Sequence, residues 1–306
     1  VDLSVEEGGV LGVVGESGCG KTVTMLAALG LLPRNATVKG SVRYRGRELL
    51  KLPAREMRKI RGAGIAMIFQ DPVTSLNPVF TVGHQIAEAV RVHHPELGRR
   101  ETARRAVELL ARVGIPEPER RAADYPHQFS GGMCQRAMIA MAMANDPDVL
   151  IADEPTTALD VTIQAQILDL LRVVHRDKGH AIVLITHDLG VVAGLAEDVA
   201  VMYAGRVMER GPVDEVYERS RNPYTRGLLA SLPKLNAGAR VPLTPIRGAP
   251  PSLRTVPVGC PFHPRCPRAE ERCRVEAPEL RSVGGVRSAC HFAEEFGNPT
   301  AAVTPG

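Results

Sequence analysis

The sequence predicts an α/β fold with a helical insertion and a small irregular C-terminal extension, and three observations along its 306 residues support that class. Apolar runs suited to buried strands alternate with segments in which apolar residues recur at helical spacing. No strand pattern occurs between Asp71 and Asp146, which indicates a helical subdomain at about 76–147. After residue 230 the chain is rich in Pro, Gly and Arg and has little periodicity. We therefore expect an α/β domain over residues 1–230 and an extension over residues 231–306.

Composition and charge argue against several classes of protein. The net charge of +4 is small for this length, and aromatic residues are scarce with no Trp, so no nucleic-acid partner is expected. No apolar stretch approaches the ~20 residues that a membrane-spanning helix needs, and no signal peptide is recognisable. We therefore expect a cytosolic or peripheral protein. Val1 to Val5 looks like a strand in progress, so we expect the N-terminus to be truncated.

The first strand–loop–helix unit carries a phosphate-binding loop. Val10–Val14 is suited to a buried strand, and Thr22 to Leu32 is apolar enough for a buried helix. Between them, Gly15-Glu16-Ser17-Gly18-Cys19-Gly20-Lys21-Thr22 matches G-x-x-x-x-G-K-[ST]. Backbone N–H groups of such a loop and the dipole of the helix favour phosphate. Lys21 is expected to reach the β- and γ-phosphates of a nucleotide, and the Thr22 hydroxyl to bind Mg²⁺.

The next elements lead to a candidate glutamine. We predict a strand and turn over Val38–Arg47, a helix over Leu52–Arg61 and a second apolar strand over Ile65–Phe69. A residue at the carboxyl end of a strand in an open α/β sheet faces the ligand crevice. Gln70 follows the second strand and is therefore a candidate for the site.

Helices are predicted throughout the insertion. Apolar spacing indicates helices over Val82–His93 and Glu101–Val113, and a third from Ser130 to about Asn145. Ser130-Gly131-Gly132 precedes the third helix, and two glycines at a helix N-terminus let a phosphate approach the backbone closely. Taken alone, this pattern is also explained by Ser130 acting as a plain N-cap.

Two further strands are expected to bring acids and a histidine to the same crevice. Val149–Pro155 is an apolar run that ends in Asp153 and Glu154. In a phosphate-loop hydrolase the aspartate at this place holds Mg²⁺, directly or through water, and Glu154 is suited to deprotonate the attacking water. Ala181–Thr186 is a buried strand that ends at His187, for which we favour a contact to the γ-phosphate.

The remaining elements complete the predicted α/β domain. A helix follows Asp160 and ends near Gly179. Asp198–Tyr203 and Arg206–Arg210 are predicted to form a hairpin.

The ordered motifs resemble those of the ATP-binding-cassette (ABC) ATPases over about residues 1–215. The resemblance implies a P-loop NTPase core, hydrolysis of ATP and a head-to-tail dimer of two cassettes. Each ATP then lies between the phosphate loop of one subunit and the signature helix of the other. The motifs that carry the resemblance are the phosphate loop, Gln70, Ser130-Gly131-Gly132 with Gln135, Asp153-Glu154, Asp160 and His187.

The same resemblance implies a role for each of these residues. Glu154 is the general base, and His187 holds the γ-phosphate and the attacking water. Asp160 couples the two sites of the dimer, and Gln70 also senses a membrane partner. The residues implied as Mg²⁺ ligands are Thr22, Gln70 and Asp153.

The sequence departs from the family pattern at two places. The family has an aromatic residue upstream of the phosphate loop that stacks on adenine, and nothing suitable precedes Gly15. The signature begins with Phe129 and continues to Met133, where the commoner form has Leu and Gln. Because Ser130, Gly131 and Gly132 are intact, we expect function to survive.

Three stretches are similar to the ABC ATPases that power oligopeptide and dipeptide import, with nickel importers close by. They are QDPVTSLNP at 70–78, NPYTR at 222–226, and GCPFHPRCP at 259–267 with the cysteines that follow. The resemblance implies a peripheral subunit at the cytoplasmic face of the inner membrane. Its partners would be a second ATPase subunit, identical or not, permease subunits and, indirectly, an extracytoplasmic solute-binding protein.

Other functions stay open at this point. An importer of nickel or another solute is the alternative within the subfamily. A soluble ABC ATPase acting on DNA or ribosomes is a remote alternative, because the sequence has neither the long coiled-coil insertions nor the second cassette usual in that class. A redox-sensing regulator with a vestigial ATPase is weaker still, since Glu154 and His187 are intact.

Four cysteines are concentrated in the extension. They supply enough thiolates for a [4Fe–4S] cluster or a tetrahedral zinc ion, although their spacing is looser than in zinc ribbons. A segment with so few large apolar residues also needs some staple. The resemblance favours the cluster, while zinc, free thiols and disulfides stay open. The four residues are Cys260, Cys266, Cys273 and Cys290.

Cys19 is a separate hypothesis. It lies in the phosphate loop at a helix N-terminus, where the pKa of a thiol tends to fall. We therefore predict that alkylation of Cys19 blocks ATP binding and that ATP protects it.

Overall fold

The computed structural model describes residues 1–157, 159–232 and 245–297. Within the predicted extension, residues 233–244 lie outside this description. The strands are β1 (Val10–Val14), β2 (Arg43–Tyr44), β3 (Arg47–Glu48), β4 (Ile65–Ile68), β5 (Val149–Asp153), β6 (Ala181–Thr186), β7 (Asp198–Tyr203), β8 (Arg206–Pro212), β9 (Arg281–Val283) and β10 (Val286–Ser288). The helices are α1 (Lys21–Ala28), α2 (Ala54–Ile60), α3 (Pro72–Ser75), α4 (Val82–His93), α5 (Arg99–Arg112), α6 (Pro118–Arg121), α7 (Gly131–Ala142), α8 (Val161–Lys178), α9 (Leu189–Ala193), α10 (Val213–Arg219), α11 (Pro223–Ala230) and α12 (Glu271–Val275).

The chain divides into two compact units that interleave along the sequence. The first contains residues 1–5, 10–24 and 184–306, and the second contains residues 6–9 and 25–183. The boundary falls within β6. The predicted α/β class is confirmed, whereas the division of the chain at residue 230 stays a prediction.

The first unit is built on strands in the order β1-β7-β8-β10-β9. β1 pairs with β7 in parallel, with Val14 opposite Val201. β7 and β8 form the predicted antiparallel hairpin. The extension then adds its own hairpin, since β10 pairs with β8 and β9 with β10. Sequence reasoning missed this hairpin because each of its strands has only three residues, and the hairpin as a whole depends on β8 for a partner.

The second unit carries the parallel pair β4–β5 and the predicted helical insertion. Ile68 lies opposite Ala152, so the two strands end side by side. Between them the chain forms only helices and loops, from α3 to α7, as the sequence predicted. α4, α5 and α7 pack on one another through fully buried residues, among them Ile86, Leu110 and Met138.

One predicted strand is wrong. Residues 1–5 form no strand, and the side chain of Val1 is exposed. Alternation of apolar residues stabilises a strand only where a neighbouring strand supplies hydrogen bonds and a surface to pack against. Elsewhere, no helix within the described residues combines the length and apolar character that a membrane crossing requires.

A buried glutamate lies on β8, opposite Ser288 of the extension. Glu209 on β8 is fully buried, accepts a 2.7 Å hydrogen bond from Ser220 Oγ and also accepts one from the Arg221 N–H. Next to it, Asn222 Nδ2 donates to the carbonyls of Met208 and Ala289. Burial is the main influence on this carboxyl and raises the pKa of Glu209 to about 7.

The raised pKa predicts a pH dependence of stability. Between the ordinary value of 4.5 and about 7, the native protein holds the Glu209 proton more tightly than the unfolded chain does. The free energy of unfolding should therefore fall by about 3 kcal/mol as the pH rises through this window. Urea titrations at pH 5, 6 and 7 would measure the slope, with Glu209→Gln as the comparison. An equal slope in the two proteins would contradict the assignment.

Candidate functional site

The phosphate loop lies in the first unit, where it follows the fully buried β1 and leads into α1. Lys21 is the first residue of α1 and is only 5% exposed. Its Nζ donates hydrogen bonds to the carbonyls of Gly15 at 2.7 Å and Glu16 at 3.3 Å. The ammonium group therefore lies within the curve of the loop, which is the position that a phosphate-binding lysine requires.

Glycine is required at the first position of the loop. The φ of Gly15 is +153°, and a Cβ there would lie 2.1 Å from the Met202 carbonyl oxygen on β7. The loop is held from the same side by the Gly205 N–H, which donates to the Cys19 carbonyl at 2.9 Å. The β7–β8 hairpin thus supports the loop, which its sequence motif did not indicate.

Cys19 differs from its prediction. The side chain is buried, and desolvation raises the pKa of the thiol, although the nearby Lys21 acts in the opposite direction. The predicted fall in pKa is wrong because the cost of burying a thiolate exceeds the effect of the helix N-terminus and Lys21. The effect of alkylation stays a prediction.

The second residue of the loop is held by residues far away in the sequence. The Glu16 N–H donates to the Tyr224 hydroxyl at 3.1 Å. The Glu16 carboxylate forms an ion pair with Arg265 of the extension. Sequence reasoning did not single out Tyr224 or Arg265 individually, because neither has a spacing that indicates contact with the loop.

His187 lies at the end of β6 and is exposed. Its neighbour Asp188 donates its N–H to Thr186 Oγ1 at 3.0 Å, and Asp188 Oδ1 accepts from the Gly190 N–H at 2.8 Å to cap α9. These bonds fix the backbone on both sides of the histidine.

The second unit brings the predicted glutamine and general base together. Gln70 follows β4, and Glu154 follows β5. Gln70 Nε2 donates to Glu154 Oε2 at 3.1 Å, and Thr157 Oγ1 donates to the same oxygen at 2.8 Å. The two donors hold the carboxylate in one orientation. Thr157 is a positioning candidate that sequence reasoning missed.

The backbone of Glu154 has an uncommon conformation. Its φ is +46°, in the left-handed region that non-glycine residues rarely adopt. Such strain is concentrated at functional sites, where the surrounding structure holds it in place. Asp153, immediately before it, is 1% exposed.

A solvent-facing serine precedes α7, the predicted signature helix. Ser130 Oγ accepts from the Met133 N–H at 3.3 Å, and both Ser130 and Gly131 are exposed. A Cβ on Gly132 would lie 3.0 Å from Ile163 on α8, so the close packing of these helices favours glycine.

Two other predicted residues of this region lie in contrasting settings. Gln135 is 2% exposed, and its Nε2 has no hydrogen-bond partner within the described residues. Asp160 is exposed and caps α8 by accepting from the Ile163 N–H at 3.0 Å.

The residues implied as Mg²⁺ ligands offer oxygen donors: a hydroxyl on Thr22, an amide on Gln70 and a carboxylate on Asp153. These donors fit Mg²⁺, which takes one or two protein ligands and completes its shell with phosphates and water. The first lies in one unit and the other two in the second unit.

The four cysteines of the extension line one small cavity, together with Phe262 and His263. All four are free. Burial raises the pKa of Cys266 to about 11 and that of Cys290 to about 12. Within residues 1–157, 159–232 and 245–297, however, no group of three or more His, Cys, Asp or Glu side chains is arranged to hold a metal ion. The structure therefore brings the four predicted ligands to one cavity without placing them at ligand geometry.

An apolar groove in the second unit was not anticipated from the sequence. It has a volume of about 570 Å³ and lies beside the end of β4, where Gln70 follows. Phe69 and Val92 on its wall are exposed. Other residues that line it are Leu31, Ile65, Met138 and Met141.

Comparison with known families gives two matches. The family described as ABC transporter matches residues 1–157, and the family described as Oligopeptide/dipeptide transporter, C-terminal region, matches residues 208–273.

Two curated relatives illustrate the similarity. The oligopeptide transport ATP-binding protein OppD of Mycobacterium tuberculosis is 53% identical over 291 residues, which cover 95% of this chain and 48% of that protein. The chain thus spans about half the length of this relative. The dipeptide transport ATP-binding protein DppD of Escherichia coli is 48% identical over 304 residues, which cover 98% of this chain and 92% of that protein.

Solved structures share the fold. The dimeric ATP-binding cassette MJ0796, in a post-hydrolysis state bound to ADP and phosphate, matches with a TM-score of 0.62 and 29% identity over 70% of this chain and 89% of that chain. CbiO1 from Clostridium perfringens, part of the ABC transporter complex CbiONQ, matches with a TM-score of 0.60 and 27% identity over 71% of this chain and 82% of that chain.

Proposed function

The chain belongs to the ABC transporter family, and on that premise we propose that it is the ATP-binding subunit of an importer that hydrolyses ATP to drive uptake of peptides. The observation that carries the proposal is the combination of a phosphate loop around the buried Lys21 with an extension of the oligopeptide/dipeptide transporter type. The relatives named for oligopeptide and dipeptide transport favour peptides over nickel as the solute.

The proposed chemistry follows from residues at the carboxyl ends of β1, β4, β5 and β6. The phosphate loop binds the phosphates of ATP, with Lys21 near the β- and γ-phosphates. Thr22, Gln70 and Asp153 would hold Mg²⁺, which would offset the negative charge on the phosphates. Glu154 accepts a proton from water as the water oxygen bonds to the γ-phosphorus and the bond to ADP breaks. His187 contacts the γ-phosphate and the same water.

Two subunits are needed for a complete site. The exposed N-terminus of α7 offers the Ser130 hydroxyl and backbone N–H groups to an anion outside its own chain. We assign that anion as the ATP held by a second subunit, the same protein or a related one. The dimeric state of the cassette MJ0796 supports this arrangement. Asp160, which caps the neighbouring helix α8, couples the two ATP sites of the dimer. The buried Gln135 stabilises α7 from the interior of the subunit.

The apolar groove is the proposed contact with permease subunits at the cytoplasmic face of the membrane. Exposed apolar side chains such as Phe69 and Val92 favour a protein partner over water. Gln70 follows the strand that borders the groove and donates a hydrogen bond to Glu154. A movement of the permease against the groove can therefore be transmitted through Gln70 to the Glu154 carboxylate. A solute-binding protein outside the membrane delivers the peptide to the permease and does not touch this subunit.

Co-purification from detergent-solubilised membranes tests the proposal. The wild-type protein should retain permease subunits, and addition of peptide with its binding protein should stimulate ATP hydrolysis. Val92→Asp should lose the permease but keep ATP binding, because Val92 lies in the groove. Val173→Asp, which alters an exposed valine on α8, is the matched control. Association with ribosomes or DNA instead of membrane proteins would favour the soluble alternative.

We also propose that the four cysteines of the extension hold a [4Fe–4S] cluster. Their arrangement around one cavity supports a shared ligand, and four thiolates fit such a cluster. Binding requires the buried thiols to lose their protons and to move to ligand distance. Anaerobic purification with iron, sulfide and zinc analysis and an absorbance scan tests this proposal. Zinc, or a colourless protein without metal, would contradict it.

A further inference from the structure

An arginine of the extension contacts the phosphate loop directly. Arg265 Nη1 lies 2.6 Å from Glu16 Oε2, and Arg265 Nη2 lies 2.9 Å from Glu16 Oε1. The pair is therefore bidentate, which is the strongest geometry for an arginine and a carboxylate. The arginine side chain is 6% exposed and the glutamate side chain 24% exposed, so solvent screens the pair only weakly.

The guanidinium group is fixed on its other sides as well. Arg265 Nε donates to the Arg247 carbonyl at 2.9 Å, and Nη1 also donates to the Tyr203 hydroxyl at 3.3 Å. The guanidinium carbon lies 5.7 Å from the centre of the Tyr203 ring and 5.9 Å from that of Phe262. Its contact with Glu16 thus follows from the packing of the extension.

Glu16 in turn determines the shape of the loop. Its N–H donates to the Tyr224 hydroxyl, and its carbonyl accepts from the Cys19 N–H and from Lys21 Nζ. A displacement of Glu16 would therefore move the lysine expected to bind phosphate.

The ion pair between Arg265 and Glu16 also changes the charge that a bound nucleotide meets. A carboxylate in a loop that receives the phosphates of ATP repels them, and the repulsion is strong where solvent is limited. The guanidinium of Arg265 offsets this negative charge at a distance of less than 3 Å.

We propose that Arg265 is a positioning residue for ATP binding, which neutralises Glu16 and holds the phosphate loop in its receptive shape. The proposal rests on the proposed function, since it requires that the loop binds ATP. It means that the extension contributes to the nucleotide site of its own chain. Arg265 acts through Glu16 and touches none of the reacting atoms, so it affects affinity and leaves the chemical step unchanged.

Calorimetric titration of the full chain with MgATP at fixed ionic strength, together with steady-state kinetics, tests the proposal. Arg265→Gln should raise the Kd and KM about tenfold and leave kcat within twofold, as expected from losing a charge-assisted contact. Glu16→Gln combined with Arg265→Gln should restore most of the affinity, because the repelling charge is gone. A merely structural role predicts no such rescue. Arg274→Ala, which removes an exposed arginine from α12, should leave both constants unchanged.

The results of these titrations distinguish a failure of the role proposed for Arg265 from a failure of the proposed function. Wild-type protein that binds no MgATP would contradict the proposed function. Arg265→Gln protein with the wild-type Kd, or a double variant as weak as the single one, would overturn the role of Arg265. If Arg265→Gln does not fold, Arg265→Lys supplies the test, because it keeps the charge but loses the bidentate contact. It should bind MgATP about threefold more weakly than wild type, and a wild-type Kd would overturn the proposal.

Discussion

The Glu154→Gln protein is expected to bind MgATP and to hydrolyse it at least about 100-fold more slowly than the wild type, the range that loss of a general base produces. The amide keeps the size of the side chain and still accepts from Gln70 and Thr157, which bond to Oε2 in the wild type. It cannot take the proton of the attacking water. In the proposed two-subunit arrangement each ATP contacts both subunits, so a variant that binds ATP without splitting it should also accumulate as an ATP-bound dimer.

Single-turnover hydrolysis and size-exclusion chromatography with and without MgATP would measure both effects. Thr157→Ala should reduce kcat more mildly, because it removes a donor that orients the carboxylate and keeps the Gln70 donor. Glu108→Gln, at an exposed position of α5, is the matched control and should behave as wild type. Wild-type hydrolysis by the Glu154→Gln protein would require a different general base.

The Gly15→Ala protein is expected to lose ATP binding by at least about 100-fold and to be destabilised by about 2–4 kcal/mol. The added Cβ would lie 2.1 Å from the Met202 carbonyl oxygen, an overlap that only a backbone shift can relieve. The parallel pairing of Val14 with Val201 opposes such a shift, because both strands lie in the buried sheet. The strain therefore falls on the phosphate loop.

Two other glycines serve as controls. They distinguish the steric overlap at Gly15 from the cost that replacing any glycine by alanine has for the backbone. A Cβ on Gly18 meets no atom within 4 Å, but its φ of +77° disfavours alanine, so Gly18→Ala should show a smaller loss. A Cβ on Gly98 also meets nothing, and its φ of −69° suits alanine, so Gly98→Ala should bind MgATP normally. Calorimetry and thermal unfolding would measure the series. If the Gly15 and Gly18 variants lost the same affinity for MgATP, the overlap with the Met202 carbonyl would not be the cause.

Patterns among neighbouring residues predicted the first and last residues of several elements. The predicted helix Val82–His93 and the predicted strands Ala181–Thr186 and Asp198–Tyr203 have the same bounds in the structure. These segments combine an apolar pattern of the right period with polar or turn residues at both ends, so neighbours in sequence are sufficient to define them. The proximity of Gln70 and Glu154 was also predictable, because parallel strands end at one edge of a sheet.

Other features depended on partners that no local pattern reveals. The strand expected over residues 1–5 does not form, while the unpredicted hairpin β9–β10 forms against β8. Glu209 is an ordinary acid in the sequence, and only burial within the fold raises its pKa. Burial acts in the same direction on Cys19, for which the sequence indicated a lowered pKa and the fold raises it.

The sequence by itself determined the family, and it predicted the phosphate loop, the acids and amide at the strand ends and the signature serine. Each of these depends on hydrogen bonds and spacing within a few residues, which the order of residue types specifies. Tertiary structure alone decided that Arg265 meets Glu16, 249 positions earlier in the chain, and that four dispersed cysteines share one cavity. Such contacts exist only after the sheet has paired and the core has packed, because packing sets which distant side chains lose water together.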